Sequence, residues 1–466
     1  MTENLQEIFT LFKNVTLNAN GIKRSFYEAM QDGDIDKALS YTQDRHEDVD
    51  EAIREYNPQT HEVMRRPNKR RKNAPPYISE KLPRTRQRYI NEVELFFLLG
   101  NPISWKLEDG DDAAYKLFTK FNEDYRMDSL RRKLKRLAGA ETEAAMVFHM
   151  YQEDGEMQVK PFIAARSTGY IIRPLFDQYG IMLAFALGYR VKEDGKTVEH
   201  YDIYTPELIF YCTKKDGVWD KDVHNNIIKK IPVIYARQPK AWDGVEPRLH
   251  REEMLASKVA DTNNYFADPI ATATADVISA MGKDNSDRIG QLIQLTGPNS
   301  RFGYVNPPQN SEARRDEEAS LRQSILFDTY TPDFSYENIK GLGTLSGAAI
   351  KNAMVLGYIK RANRMEIYEE LFSREKSLEI AILGAMNPNM QSALNSLNIS
   401  FKFSDPFESQ VSENWTSLAS LYTSGVASLD TVVRLLALTK APEEEIARIK
   451  EEAMEKLALQ AQGGGE

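Results

Sequence analysis

The sequence predicts a mixed α+β chain that is mainly α, and three observations carry that prediction. Between Ala144 and Ile234 polarity alternates with a period of two, and the runs meet at Asp154-Gly155, Asp194-Gly195 and Asp216-Gly217. Asp-Gly between alternating runs is the signal of antiparallel hairpins. From Ser346 to Met386 no proline interrupts a helical spacing of Ile350, Met354, Tyr358, Met365, Tyr368, Phe372 and Ile382. Such a helix would be about 55–60 Å long, too long to be covered by a small domain alone. The segments on either side of these two regions read as helices with capping and proline stops. A glycine-loosened loop at the head of a long stiff helix is a mechanical part rather than a catalytic pocket.

Composition narrows the class. With 466 residues the chain should hold several domains, and 41 % hydrophobic with 28 % charged residues is ordinary for a folded protein. The formal net charge of −9 advertises no nucleic-acid partner globally, although an acidic protein can enclose DNA where the contact is weak and sliding. The single Cys212 excludes an intrachain disulfide and a thiolate-only metal cage. MTENLQEIFTLFKN is acidic and amphipathic, without a basic n-region or cleavage site, so no signal peptide is expected. No apolar run approaches the ~20 residues of a membrane span. A soluble, intracellular chain is expected.

In order, residues 1–62 read as helices rich in carboxylates (Asp32, Asp34, Asp36, Asp44, Asp48, Asp50). Without calcium-loop spacing they read as a solvated acidic face. Arg65, Arg66, Lys69, Arg70, Arg71 and Lys72 form the densest positive run. It is either a phosphate-binding arm or a surface linker closed by Pro75 and Pro76, and no aromatic residues interleave to support base stacking. A helix from Arg84 to Leu99 should stop at Gly100-Asn101-Pro102. Another, 112–137, ends in Arg131, Arg132, Lys133, Lys135 and Arg136, cations that complement a helix C-terminus.

The alternating region forms a sheet ending at Lys230-Ile231-Pro232-Val233. Helices are expected at 249–267 and 312–329, bracketing an insertion that mixes a small-residue helix with the strand-like QLIQL and RFGYV. Pro332 ends the second helix, Gly341 and Gly343 loosen the loop, and Ser346 caps the long helix behind Leu345. NISFKF (398–403) reads as a lone strand belonging in the earlier sheet. Helices then follow at 410–423, at 428–438 with Ser428 as cap, and at 442–457 with Pro442 at the first position, before a frayed AQGGGE tail.

Catalytic motifs are absent from the sequence. There is no GxxxxGK[ST], no GxGxxG after a strand, no HExxH and no Gly-x-Ser-x-Gly. The histidines His46, His61, His149, His200, His224 and His250 show no paired-ligand spacing. No cofactor, metal or catalytic residue is expected, although dispersed carboxylates could assemble a two-metal nuclease without a local signature.

The order of parts resembles the portal (head–tail connector) proteins of tailed bacteriophages, siphovirus type. YISEKLPRTRQRYINEVELFFLLGNPISW (77–105), KIPVIYARQ (230–238), TPDFSYENIKGLGTLSGAAIKNAM (331–354) and SGVASLDTVVRLLALTKAPEEEIARIKEE (424–452) carry the likeness, which spans front, middle and end. The resemblance implies a multi-part portal fold assembled as a ring of about twelve subunits. Its parts would be a wing at 1–240, stem helix 1 at 241–269, a clip at 270–311 and stem helix 2 at 312–333. A tunnel loop would occupy 334–345, a long channel-side helix 346–386, a return strand to the wing 387–404, and a helical crown and tail 405–466. It implies a virion protein, assembled in the host cytoplasm and placed at the capsid vertex where double-stranded DNA is packaged and ejected. Its partners would be terminase, a head–tail adaptor, scaffold and the major capsid protein, with no membrane and no enzymatic activity.

The implied DNA-facing residues are Lys340, Gly341, Gly343, Thr344 and Lys351, touching the duplex backbone without reading bases. The segment itself is glycine-rich with little charge, and its residues alone favour an ordinary connecting turn with Lys340 solvated; the resemblance reverses that preference. Two other classes stand beside this one. One is a metal-dependent nucleic-acid enzyme using 65–72 and 131–136 as its DNA face; the other is a capsid or tail ring that does not hold DNA.

Overall fold

The computed structural model describes residues 19–71, 74–193, 195–267, 271–274, 292–295, 311–335, 340, 354–407, 418, 420–436 and 442–463. Helices α1 (Ala19–Asp32) and α2 (Ile35–Ser40) meet at Gly33, whose φ of +79° a side chain rarely adopts, and the Asp34 carboxylate caps α2 by accepting from Lys37 N at 3.0 Å. Helix α3 spans His46–Tyr56. The acidic face of this region is not simply solvated: Asp36 pairs with Lys214, Asp44 with Arg173 and Asp50 with Arg166. Cations standing across from them on other elements supply the partners.

Strands β1 (Lys69–Arg71) and β2 (Ala74–Tyr77) form an antiparallel hairpin, with Lys69 opposite Tyr77 and Arg71 opposite Ala74. The basic run is thus a hairpin rather than a linker. Pro75 and Pro76 fit because a two-stranded ribbon leaves each strand an open edge. Helix α4 (Arg86–Leu99) follows as expected and buries Ile90, Val93, Phe97 and Leu98. It stops at Gly100 as expected, a C-cap of right-handed backbone with φ −58°. Strand β3 (Ser104–Asp109) comes next. The single helix expected at 112–137 is two, α5 (Asp112–Asp124) and α6 (Met127–Glu141), because Arg126 takes φ +50° between them.

The alternating region holds β4 (Glu143–Glu153), β5 (Glu156–Ala164), β6 (Ile171–Phe176), β7 (Met182–Glu193), β8 (Lys196–Tyr204), β9 (Leu208–Lys215), β10 (Val218–Asn225) and β11 (Val233–Arg237). These make two antiparallel sheets, ordered β11-β4-β5 and β10-β9-β8-β7-β6, where one was expected. The chain switches sheets after β5 through a short 3-10 turn closed by Gly169 at φ +90°. Alternation marks strands but does not say which strands pair. Val147 and Tyr235 of the first sheet pack with Phe185 and Tyr204 of the second in one core. The other face of the five-stranded sheet takes Phe26, Met30, Ile35 and Leu39 of α1 and α2.

Helices α7 (Glu246–Ala267) and α8 (Ser311–Asp328) lie together, joined by Arg251–Glu317 and Arg248–Asp328. Between them β12 (Ala271–Thr274) pairs in parallel with β13 (Leu292–Leu295). The small-residue helix expected from 270 is therefore a strand in its first turn, where Thr272 and Thr274 favour extended backbone; RFGYV lies outside the described residues. Helix α9 runs Val355–Met386, and the predicted start at Ser346 with its staple Leu345 also lies outside them. Helix α10 (Gln391–Asn395) leads to β14 (Asn398–Lys402), which pairs with β3 rather than with the larger sheets. Trp105 of β3 receives Phe401 of β14 at 5.3 Å between ring centroids. Helices α11 (Leu429–Leu436), capped by Ser428 Oγ accepting from Thr431 N, and α12 (Pro442–Gly463) complete the described chain.

Candidate functional site

Two buried charge networks of opposite balance fix α9 to the body. Toward its start, the fully buried Glu94 of α4 faces three cations: Lys135 of α6 in direct contact, Arg364 at 3.0 Å and Lys360 at 3.6 Å. Gln238 donates to the same carboxylate at 3.1 Å and accepts from the Tyr368 hydroxyl at 2.9 Å. Burial alone would raise the Glu94 pKa, but the three cations outweigh it and hold the carboxyl far below its usual range. With one carboxylate among three cations, Lys360 is desolvated and repelled by Lys135 and Arg364, and its pKa falls to about 8.

Further along α9 the balance reverses. Arg131 donates to Glu375 at 3.0 Å and reaches Glu379 at 3.5 Å and Asp128 at 2.8 Å, while Asn122 donates to Glu379 at 2.8 Å. Glu375 and Glu379 are one turn apart and wholly buried. Burial raises both carboxyl pKa values, and the neighbouring Glu375 raises that of Glu379 further.

Helix α4 also anchors both ends of the segment leading into α9. On the entering side, the Tyr89 hydroxyl donates to Pro332 O at 2.7 Å and accepts from Phe334 N at 2.8 Å. Lys360 donates to Thr331 Oγ1 at 3.1 Å, and Phe334 stacks on Phe97 at 6.3 Å. On the leaving side, Gly357 lies against Phe97 so closely that a Cβ would stand 2.2 Å from the ring. Tyr358 packs on the same ring and donates to Asp405 at 2.8 Å. The described residues on either side, Pro332–Phe334 and Gly357–Tyr358, are therefore both fixed on one helix.

Of the residues singled out in the sequence, Lys340 is exposed, while Gly341, Gly343, Thr344 and Lys351 lie outside the described residues. Arg65 is exposed. Arg66 is committed to Asp261 of α7 and donates to Glu80 O. Lys69, Arg70 and Arg71 form β1, and Lys72 lies outside the described residues. The cluster at 131–136 is divided: Arg131 and Lys135 are buried in the two networks, Arg136 pairs with Glu92 at the surface, and Lys133 is exposed. Ion pairing, rather than the helix dipole, accounts for the first three. Glu94, Lys360, Arg364, Glu375 and Glu379 were not singled out from sequence. Their signal was available as charges at positions where the helical spacing calls for apolar residues. Among the described residues no group of three or more His, Cys, Asp or Glu side chains could hold a metal ion, and no helix is long and apolar enough to cross a membrane.

The site is thus a long helix fixed to the body by two buried charge networks. The sequence model of the family described as "Phage portal protein, SPP1 Gp6-like" matches residues 36–457, and the chain belongs to that family. The family is structural rather than enzymatic. No curated protein matches the chain. Similar solved structures include a chain from the neck of a native gene transfer agent particle computed with C12 symmetry: 12 % identical, covering 76 % of this chain and 91 % of that one, with a TM-score of 0.39. A chain from the virion of the native gene transfer agent particle is 11 % identical, covering 84 % of this chain and 94 % of that one, also at 0.39. At these scores the structural likeness carries no argument, and the assignment rests on the family match.

Proposed function

We propose that this portal protein forms the ring-shaped channel at the unique capsid vertex through which double-stranded DNA is packaged and later ejected. About twelve subunits would close the ring through a heterologous interface. Residues 1–240 with 387–404 serve as wing, α7 and α8 as stem, 270–311 as the clip that docks terminase and then the head–tail adaptor, and 405–466 as crown. Scaffold and major capsid protein surround the wing, which makes the assembled ring a virion component.

The observation that carries this reading is the anchoring on α4 of the described residues on either side of 336–353, with α9 clamped behind them. That arrangement supports a tunnel loop at 334–345 held on a rigid base. Lys340 supplies its charge to the DNA backbone, Gly341 and Gly343 its hinges, with Thr344 and Lys351 following. One lysine per subunit gives a weak collar whose contact is sequence-independent and salt-sensitive. The enzyme reading needed 131–136 as a DNA-facing surface, and Arg131, Lys135 and Arg136 are engaged in ion pairs instead. Lys340→Ala virions are expected to package or retain less DNA than wild type, measured as genome length protected from nuclease. Wild-type packaging and retention would remove the lysine from the mechanism.

A further inference from the structure

Two adjoining cavities of about 320 Å³ each open where α9 passes the turn between β6 and β7 and the loop leading into β11. Met182 and Arg374 line both, so the two form one cleft. One half is cationic, with Lys229, Lys230 and Arg374 and no carboxylate. Arg374 is half-buried and donates to backbone carbonyls, Val233 O at 3.1 Å and Ile231 O at 3.4 Å. Lys230 Nζ donates to Ser377 Oγ at 2.7 Å and to Ser377 O at 3.0 Å. Burial holds the Arg374 pKa below its usual range despite Glu370 one turn away, and burial and then Arg374 lower that of Lys230. Crowded cations whose partners are neutral are short of negative charge.

The loop and the turn that frame the cleft are fixed in place. Asn226 is buried and donates to Thr205 O at 2.7 Å and Lys230 O at 2.8 Å, while Lys229 holds φ +54°, a backbone that lysine rarely adopts. Asp177 accepts from Tyr179 N at 2.9 Å and Ile181 N at 2.8 Å, closing the β6–β7 turn. That turn holds Tyr179 78 % and Ile181 61 % exposed along the other half of the cleft. Large apolar side chains presented to water on a braced turn, beside uncompensated cations, mark an interaction surface.

The β4–β5 hairpin carries the complement. Beyond Val147, the last β4 residue in register with β11, β4 and β5 run on as two strands alone to Glu153 and Glu156. Its tip, Glu153, Asp154 and Glu156, is exposed and enters no ion pair among the described residues, and Tyr151 behind it is 40 % exposed. The cleft lies at the head of β11, one edge of the sheet ordered β11-β4-β5, and β5 forms the other edge. Two different patches toward opposite edges are what a heterologous, head-to-tail contact needs.

We infer that the cleft receives the acidic hairpin tip of a neighbouring subunit, with Glu153, Asp154 and Glu156 against Lys229, Lys230 and Arg374, and Tyr151 against Tyr179 and Ile181. That docking rests on the ring reading and gives it a named contact between wings. A second copy suits the cleft better than DNA, because phosphates leave Tyr179 and Ile181 uncovered. Complementary charge also sets register and disfavours wrong docking.

The test is charge exchange in the full-length protein, read by native mass as the concentration at which half the chain is in rings at fixed salt. E153K/D154K/E156K and K229E/K230E, each checked for wild-type circular dichroism, are each expected to raise that concentration about tenfold, a factor equal to about 1.4 kcal/mol. Combining the two sets in one chain is expected to bring it within about threefold of wild type, which a merely misfolded variant would not do. A second readout is oxidation of D154C/K229C in a Cys212→Ala background, expected to give covalent ladders of subunits. If the cleft variant loses rings while the hairpin variant forms them normally, the cleft takes a different occupant and the inference is overturned. Wild-type assembly by both variants, or no recovery on exchange, overturns it as well. A wild-type chain that forms no ring under any condition defeats the ring reading first, and the docking with it.

Discussion

Gly357 has no space for a methyl group, because the Phe97 ring against it is buried and packed on Phe334, Tyr358 and Phe407. Gly357→Ala should therefore cost about 1–3 kcal/mol by overpacking, seen as a lower urea midpoint. Glu94 is the carboxylate that Lys135, Lys360 and Arg364 share. Glu94→Gln leaves buried cations uncompensated and should cost about 3–5 kcal/mol in the same experiment. Glu379 behaves oppositely. Its burial and its neighbour Glu375 push its carboxyl pKa well above the usual range, so Glu379→Gln, which removes that repulsion and keeps an acceptor for Asn122, should cost less than Glu94→Gln in the same experiment. Equal losses for the two glutamine variants would contradict the opposite balances of the two networks. Neither network was legible in the sequence, because a single buried charge within an amphipathic helix looks like a surface residue until its partner, for Glu94 between 41 (Lys135) and 270 (Arg364) positions away, is placed beside it.

Among elements, the joint between α3 and α7 depends on His61. Its Nδ1 faces Glu253 at 2.6 Å and its Nε2 faces the Glu55 carbonyl at 2.7 Å. Both partners are acceptors, so both ring nitrogens donate and the ring is an imidazolium. Burial pushes its pKa down, but Glu253 and the Glu55 carbonyl outweigh this and raise it above the usual 6.5. The sign follows from linkage. The stabilisation is complete below about pH 6.5 and is lost as pH rises through the higher folded value. Unfolding midpoints measured from pH 5 to 9 should fall across that interval in wild type and lose this component in His61→Phe; parallel slopes would exclude the clasp. Elements themselves were largely legible. Asp154-Gly155 and Asp216-Gly217 do form hairpin turns with positive φ at both residues, and α4, α7 and α8 begin and end within a few residues of expectation. What failed was partnership. The alternating run divides into two sheets, and β14 pairs with β3, a six-residue strand whose alternation at Trp105 and Leu107 was passed over.

For the whole molecule, the sequence carried the family through the order of its parts, and the match over residues 36–457 places the chain there. The chemistry expected to touch DNA was far less legible. Only Lys340 among the five loop residues is described, and of the conspicuous cations at 131–136 Arg131 and Lys135 are internal supports while Lys133 is exposed. Conspicuous charge in a sequence does not distinguish a surface from a buried pair, since both use the same residues. The central claim is that this chain closes into a ring around a channel. Native mass of the purified full-length protein, followed by imaging of the same sample, tests it most directly. Twelve copies of the 53.2 kDa chain predict particles of about 600–700 kDa with a central opening of about 20 Å or more. A chain that stays monomeric or dimeric on concentration and with scaffold protein present, or a ring whose opening is too narrow for duplex DNA, would contradict it.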